Sequence, residues 1–103
     1  MKRCFVGIRY SQLPFDTELE IVLIEPSKCI SLMIPRVGNF VVYKAYFTHT
    51  GDKRIFNITF PEDKFREALL NINPELRSDL TRPVKFKFKK VKRSLFITEY
   101  TML

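Results

Sequence analysis

The segment RPVKFKFKKVKRSLFITEY, residues 82–100, predicts the last two strands of a β-sheet. In its first half, apolar and basic residues alternate, and alternate residues of a strand share one face. One face would comprise Val84, Phe86 and Phe88, and the other Lys85, Lys87 and Lys89. The alternation breaks at Lys90, which predicts a turn or bulge near residues 90–93.

A second period-two run predicts the final strand over Leu95–Thr101. Its two faces would carry Leu95 and Ile97 on one side and Phe96, Thr98 and Tyr100 on the other. If this strand pairs with the lysine strand, one of the two registers brings Phe96 close to the lysines.

The same segment accounts for the net charge of the chain. The sequence has 18 Lys and Arg residues against 11 Asp and Glu residues, a formal charge of +7. Seven basic residues lie between positions 82 and 93 with no acidic residue among them, and without them 11 basic and 11 acidic residues remain. Alternate lysines on a strand stand about 7 Å apart, which is close to the phosphate spacing of a nucleic-acid strand. The pattern therefore favours a polyanion-binding surface.

Two other interpretations of the lysines stay open. Alternating lysines also keep one strand face hydrated and protect a sheet edge. They would be neutralised if they paired across strands with Glu18 and Glu20.

Period-two patterns predict five further strands upstream, at about residues 4–10, 17–24, 29–34, 40–48 and 54–60. In the third of these we expect Ile30, Leu32 and Ile34 to point inward. The fourth is apolar on both faces, so we expect it to be central. It would pair with the fifth through a hairpin at Thr50-Gly51-Asp52.

One segment changes to a helical period. Apolar residues at i, i+3, i+4 and i+7 predict an amphipathic helix over about residues 61–72; they are Phe65, Ala68, Leu69 and Ile72. Thr59 with Glu62 resembles a capping box. The fold class is therefore mainly β (α+β): an antiparallel small barrel or strongly curved sheet, with one helix before the last two strands. At this length, residues 1–103 would form a single domain.

The order of these elements resembles two known folds. Thr17–Thr101, a meander of strands followed by a helix and a closing pair, resembles an OB-fold, which implies a barrel that binds single-stranded nucleic acid or oligosaccharide. Phe40–Ile72 alone, a hairpin followed by a helix, resembles the single-strand-binding coactivator modules. Both resemblances imply a single-stranded ligand.

The sequence contains no pattern typical of a catalytic or metal centre. His49 is the only histidine. Asp16, Glu18 and Glu20 would be spread about 7 Å apart along a strand, too far to share one ion without other ligands. Phosphate-binding glycine loops and the GxSxG motif are absent. We therefore expect no metal, no cofactor and no enzymatic activity; the alternative is a metal-independent ribonuclease using Lys, Arg and Tyr.

The N-terminus and the cysteines indicate the compartment. Arg9 interrupts the apolar stretch near the N-terminus, so it does not resemble a signal peptide, and no 18-residue apolar run occurs. We therefore expect a cytoplasmic protein with no membrane interaction. Cys4 and Cys29 lack metal-ligand spacing; we expect free thiols, with a disulfide between them as the open alternative.

Together these features predict a small, basic, non-enzymatic nucleic-acid-binding protein that prefers single-stranded DNA or RNA. The residues predicted to contact phosphates are Lys85, Lys87, Lys89, Lys90, Lys92, Arg93, Lys53 and Arg54. Phe96 and Tyr100 would stack against bases. The alternative is a protein-interaction module or homo-oligomer that uses the basic C-terminal hairpin and the edge strand Leu95–Met102.

Overall fold

The computed structural model describes residues 7–49, 51, 54–75 and 81–103. In these ranges the chain forms seven strands and one α-helix. In chain order they are β1 (Gly7–Arg9), β2 (Leu19–Ile24), β3 (Ile30–Ile34), β4 (Gly38–Phe47), β5 (Phe56–Pro61), α1 (Glu62–Ile72), β6 (Val84–Val91) and β7 (Ser94–Met102). The predicted class, mainly β with one helix before the last two strands, is confirmed. Residues 4–6 of the predicted first strand, Cys4, and most of the predicted Thr50-Gly51-Asp52 turn lie outside the described residues.

The strands form one mixed sheet in the order β1-β5-β4-β2-β6-β7, and β3 lies beside part of β4. The β1–β5 pairing is parallel and the others are antiparallel. As predicted, β4 is central and pairs with β5, with Tyr43 opposite Ile58.

A backbone break explains how β4 has two partners along one edge. Between β2 and β3, Glu25 adopts a left-handed φ of 51° and Pro26–Lys28 form a 3₁₀ turn. The second half of β4 pairs with β2, where Tyr46 faces Val22, and the first half pairs with β3, where Phe40 faces Leu32. As a result β2 lies between β4 and β6, whereas the strand paired with β3 in the described residues is β4.

The core lies between α1 and one face of the sheet, which we call the inner face. Phe65 of α1 contacts the rings of Tyr43, Phe60 and Phe86 at centroid distances of 5.2, 4.9 and 6.2 Å. Phe60 of β5 and Phe88 of β6 meet at 5.9 Å. Those strands are three inter-strand spacings apart, about 14 Å in a flat sheet. The sheet is therefore strongly curved around α1, but it is not closed, because no described pairing joins β1 to β7.

The helix buries the predicted stripe but begins differently. Phe65, Ala68 and Leu69 are buried. Its N-cap is Pro61, with no side-chain cap, so the predicted Thr59–Glu62 capping box is wrong. Thr59 instead pairs with β4 inside β5. The described residues contain no helix that is long and apolar enough to cross a membrane.

The prediction that Ile30, Leu32 and Ile34 point inward is wrong. These side chains are 59%, 43% and 44% exposed. Ser31 lies opposite buried Val41 on the inner face, so its alternate neighbours occupy the outer face. Ile30, Leu32 and Ile34 share one face of β3, as predicted. The two-residue period does not indicate which face of a strand a helix will cover.

The last hairpin contains a bulge that the sequence does not mark. Lys87 pairs with Glu99 and Phe88 with Ile97, which leaves Thr98 as an extra residue in β7. The predicted turn is present as the two residues Lys92 and Arg93 between paired Val91 and Ser94. Leu95 and Ile97 are buried, as the alternation indicated, but the bulge reverses the phase of β7 beyond Thr98.

Candidate nucleic-acid interface

The alternating lysines lie on the outer face of β6, an interior strand of the sheet. β2 and β7 flank β6, so Lys85 lies between Val22 and Thr101, and Lys89 lies beside Phe96. Both lysines are half-buried, because neighbouring strands cover their stems. Among the described residues, neither lysine has a carboxylate within ion-pair distance.

Lys87, between them, is neutralised. Its Nζ lies 3.0 Å from Glu99 Oε1 on β7. The hydrogen bond and the charge of Glu99 raise the pKa of Lys87, with smaller contributions from Glu20 and Glu18. The alternative named Glu18 and Glu20 as partners of the lysines, but the ion pair at Lys87 is with Glu99.

Acidic side chains surround Lys87 on both sides of β6. The Glu18 carboxylate reaches β7, where Thr98 Oγ1 donates a hydrogen bond of 2.9 Å to Glu18 Oε2. Thr48 Oγ1 donates a hydrogen bond of 2.6 Å to Glu20 Oε1. The carboxylates of Glu18 and Glu20 border a depression of about 360 Å³ beside Lys87. Among the described residues, no group of three or more His, Cys, Asp or Glu side chains is placed to hold a metal ion.

Lys90 is not on the surface at all, which corrects its place among the predicted phosphate contacts. It is 3% exposed and lies on the inner face, like Phe88 two residues earlier. Its Nζ donates a hydrogen bond of 2.8 Å to the carbonyl oxygen of Tyr10. The same ammonium lies 4.7 Å from the ring centroid of Tyr10 and 4.3 Å from that of Phe15, in cation–π contacts. Lys90 therefore holds the loop after β1 against the end of β6.

Tyr10 adds a further buried polar group to this contact. Its hydroxyl is buried and has no hydrogen-bond partner among the described residues. Burial raises the pKa of Tyr10. The contact with Lys90 therefore involves the ring and the backbone of Tyr10 rather than its hydroxyl.

The β6–β7 turn carries two exposed cations. Lys92 adopts a left-handed φ of 55°, which closes the two-residue connection. Lys92 and Arg93 are both exposed. Lys64 of α1 donates a hydrogen bond through Nζ to the carbonyl oxygen of Arg93, so the helix anchors the turn.

Of the two predicted stacking residues, only Phe96 faces the lysines. Phe96 is exposed and directly opposite Lys89. Tyr100 is on the inner face, because of the bulge at Thr98: its hydroxyl accepts a hydrogen bond of 2.8 Å from Asn73 Nδ2, and its ring lies 6.5 Å from that of Phe86. Tyr100 is therefore a packing residue between α1 and β7.

The predicted hairpin contribution is only partly described. Arg54 is exposed before β5, at the same end of the sheet as the β6–β7 turn. Lys53 lies outside the described residues.

One exposed ring was missed by sequence reasoning. Phe15 forms a parallel bridge with Lys90, and the next amide, of Asp16, donates a hydrogen bond of 2.8 Å to the Lys90 carbonyl oxygen. Its ring is exposed. Phe15 therefore lies on the β2 side of β6 and, as the partner of inward-facing Lys90, on the opposite face of the sheet from Phe96. The signal was an aromatic residue between Pro14 and Asp16, in a loop rather than in a strand.

Four cations and one ring lie on the outer face of β6 and β7 and at the turn that joins them. We call this set the basic surface; it comprises Lys85, Lys89, Lys92, Arg93 and Phe96. The ion pair between Lys87 and Glu99 lies between Lys85 and Lys89. From Lys85 to Lys92 it spans about 23 Å at the rise of a strand. No family model, curated protein or solved structure matches this chain.

Proposed function

We propose that this protein binds single-stranded nucleic acid along the basic surface. The observation that carries the proposal is the cross-strand pair Lys89–Phe96, which places an ammonium group beside an exposed ring. Single-strand-binding surfaces combine these two groups, because cations contact the backbone while rings stack on bases.

The remaining cations extend this pair into a track. Lys85 continues it along β6, and Lys92 with Arg93 continues it at the turn. A track of about 23 Å accommodates three or four nucleotides. Acidic side chains flank Lys87 on both sides, Glu20 from β2 and Glu99 from β7. They would repel phosphates at the middle of the track, so the closest phosphate contacts would lie at Lys89 and at the turn.

The exposed ring favours single strands over duplexes. In a duplex the base faces are already stacked, and a ring can reach them only after a base is displaced. Phe96 is exposed beside Lys89, where it would contact an unstacked base.

The OB-like interpretation belongs to this proposal. It is supported by the position of α1 before β6 and β7 and by the curvature that brings Phe60 to Phe88. In OB-folds, single-stranded ligands bind to one face of a similarly curved sheet.

A titration of fluorescent oligonucleotides at several salt concentrations tests the proposal. Four neutralised phosphates predict a slope of about −3 for log K against log salt. An abasic oligonucleotide of equal length is the matched control, because it keeps the phosphates and loses the bases; we expect it to bind more weakly with the same slope. Failure to bind any single-stranded oligonucleotide at about 50 mM salt would refute the proposal.

The proposal is of a binding protein without catalysis. Labelled RNA incubated with the protein in EDTA should be recovered intact. Cleavage under these conditions would instead support a metal-independent ribonuclease, since EDTA removes the metal ions that other nucleases need.

A further inference from the structure

β3 is an edge strand with an unpaired side. It pairs with β4, and no other described strand lies on its opposite edge. All five of its residues are exposed. Edge strands with free N–H and C=O groups are templates for pairing with another chain, and proteins usually protect them with charged residues, proline or a covering element.

No such protection occurs along β3. Its sequence, Ile30-Ser31-Leu32-Met33-Ile34, contains no charged residue and no proline. The outer face continues onto the adjoining hairpin, where Val37 is exposed and Phe40 and Val42 are half-buried. The result is an apolar region on the outer face of the β3–β4 hairpin.

The inner side of β3 is also uncovered. Between β3 and α1 lies a depression of about 190 Å³, lined by Cys29 and Ser31 on one side and by Phe65 and Arg66 on the other. Buried Tyr43 lines the depression beside Cys29. The pKa of Tyr43 is raised, mainly by burial and to a smaller extent by Cys29. Within the described residues, therefore, neither face nor the outer edge of β3 is fully covered.

We propose that β3 pairs antiparallel with β3 of a second copy of this chain, about a two-fold axis at Leu32. In this register Leu32 faces Leu32 of the second copy, and Ile30 faces Ile34. The three cross-strand pairs on the outer face are then all aliphatic, which is the favoured chemistry for such pairs. A two-fold interface needs a patch that complements itself, and an uncharged strand of this composition meets that need.

The buried area makes this a weak dimer. Pairing two five-residue strands covers their edges and the flanks of their side chains, which is less than the roughly 800 Å² per partner of a standard interface. An interface of this size is typical of transient association. The dimer is therefore expected to depend on protein concentration.

Charge makes the salt dependence of dimerisation opposite to that of nucleic-acid binding. Each copy carries a formal charge of +7, and Lys28 and Arg36 flank the paired residues. Repulsion between copies is screened by salt, while apolar contacts are not weakened by it. Added salt should therefore strengthen the dimer and weaken oligonucleotide binding, so either proposal can fail without the other.

Sedimentation velocity over a concentration series tests the dimer with two variants, Leu32→Lys and Leu32→Glu. Each variant alone places like charges across the two-fold axis and should be monomeric. An equimolar mixture should recover dimers, because lysine then faces glutamate. Leu70→Lys on α1 is the matched control, since Leu70 is 44% exposed and Leu32 is 43% exposed; it should dimerise like the parent protein. Circular dichroism checks that every variant is folded.

The outcomes are distinct. Dimers of the parent protein, monomers of each Leu32 variant and dimers of their mixture support the proposal. A parent protein that is monomeric up to about 1 mM would overturn it, because even a weak specific interface is populated there. Dimers that survive Leu32→Lys would instead place the contact elsewhere, such as at β7, and a mixture that stays monomeric would overturn the two-fold register at Leu32.

Discussion

The outer face of the sheet presents two surfaces made by the same alternation of residues. On β6 the outward residues are Lys85, Lys87 and Lys89, and on β3 they are Ile30, Leu32 and Ile34. β6 has a neighbour on each side, whereas β3 has one. The number of neighbouring strands therefore determines how far an outward side chain is covered.

Neighbours have opposite consequences for the two kinds of side chain. The strands beside β6 cover the lysine stems and leave the charges at the surface, which suits a lysine. The missing neighbour of β3 leaves aliphatic groups in water, where each exposed group forgoes about 1 kcal/mol of burial. The basic surface is thus complete in the monomer, while β3 would gain from a partner strand.

The largest expected effect on oligonucleotide affinity comes from reversing the charge of two lysines on β6. The double variant Lys85→Glu/Lys89→Glu should weaken oligonucleotide binding about 100-fold, because two favourable phosphate contacts become repulsive. Fluorescence anisotropy at fixed salt measures it.

The control for this reversal is Lys28→Glu/Lys44→Glu, which changes the net charge equally near β3. It should weaken binding only a few-fold, through long-range attraction. Equal losses for the two double variants would mean that net charge, rather than the basic surface, attracts the oligonucleotide.

The next effect distinguishes two adjacent lysines of β6. Lys90→Ala should lower the free energy of unfolding by about 2–3 kcal/mol, because it removes the hydrogen bond to Tyr10, the ring contacts and buried volume. Lys89→Ala should change stability by less than about 0.5 kcal/mol. Urea denaturation measures both.

Oligonucleotide binding should show the reverse order. Lys90→Ala should keep the salt slope, since its ammonium is buried against Tyr10. Lys89→Ala should reduce the slope by about 0.7, the value of one single-strand phosphate contact. A reduced slope for Lys90→Ala would place its ammonium at the surface.

Much of the fold follows from local patterns. The period of Phe65, Ala68, Leu69 and Ile72 predicted α1, and two-faced apolar residues predicted that β4 is central. These predictions succeeded because the period is a property of the segment itself.

The misplaced residues depend on contacts between distant segments. The bulge at Thr98 has no Gly or Pro to mark it, yet it moves Tyr100 to the inner face. Lys90 is inward because Tyr10 and Phe15, about 80 residues earlier in the chain, supply a carbonyl and two rings. The pattern within one strand contains neither kind of information. It placed Lys85, Lys87 and Lys89 on one face, but it could not place Lys90 and Tyr100.

A smaller effect should come from the exposed ring of the basic surface. Phe96→Ala should weaken binding to a normal oligonucleotide about tenfold, the loss expected for one stacked base. Ile55→Ala, at another exposed apolar residue, is the control and should be neutral.

The abasic oligonucleotide distinguishes stacking from indirect effects. Its affinity should be the same for the parent protein and for Phe96→Ala, because it offers no base to the ring. If Phe96→Ala weakened both oligonucleotides equally, the ring would be positioning Lys89 rather than stacking.

The smallest expected effect concerns Lys87, whose ammonium group pairs with Glu99. Glu99→Gln removes its partner carboxylate, and oligonucleotide binding should become about twofold tighter, because an exposed charge is freed while screening limits its influence. Glu67→Gln on the exposed face of α1 removes the same charge without touching the basic surface. If Glu99→Gln strengthens binding more than Glu67→Gln does, and also steepens the salt slope, then Glu99 holds Lys87 away from the nucleic acid. Equal gains from both variants would mean that only the net charge matters and that Glu99 does not hold Lys87 away from the nucleic acid.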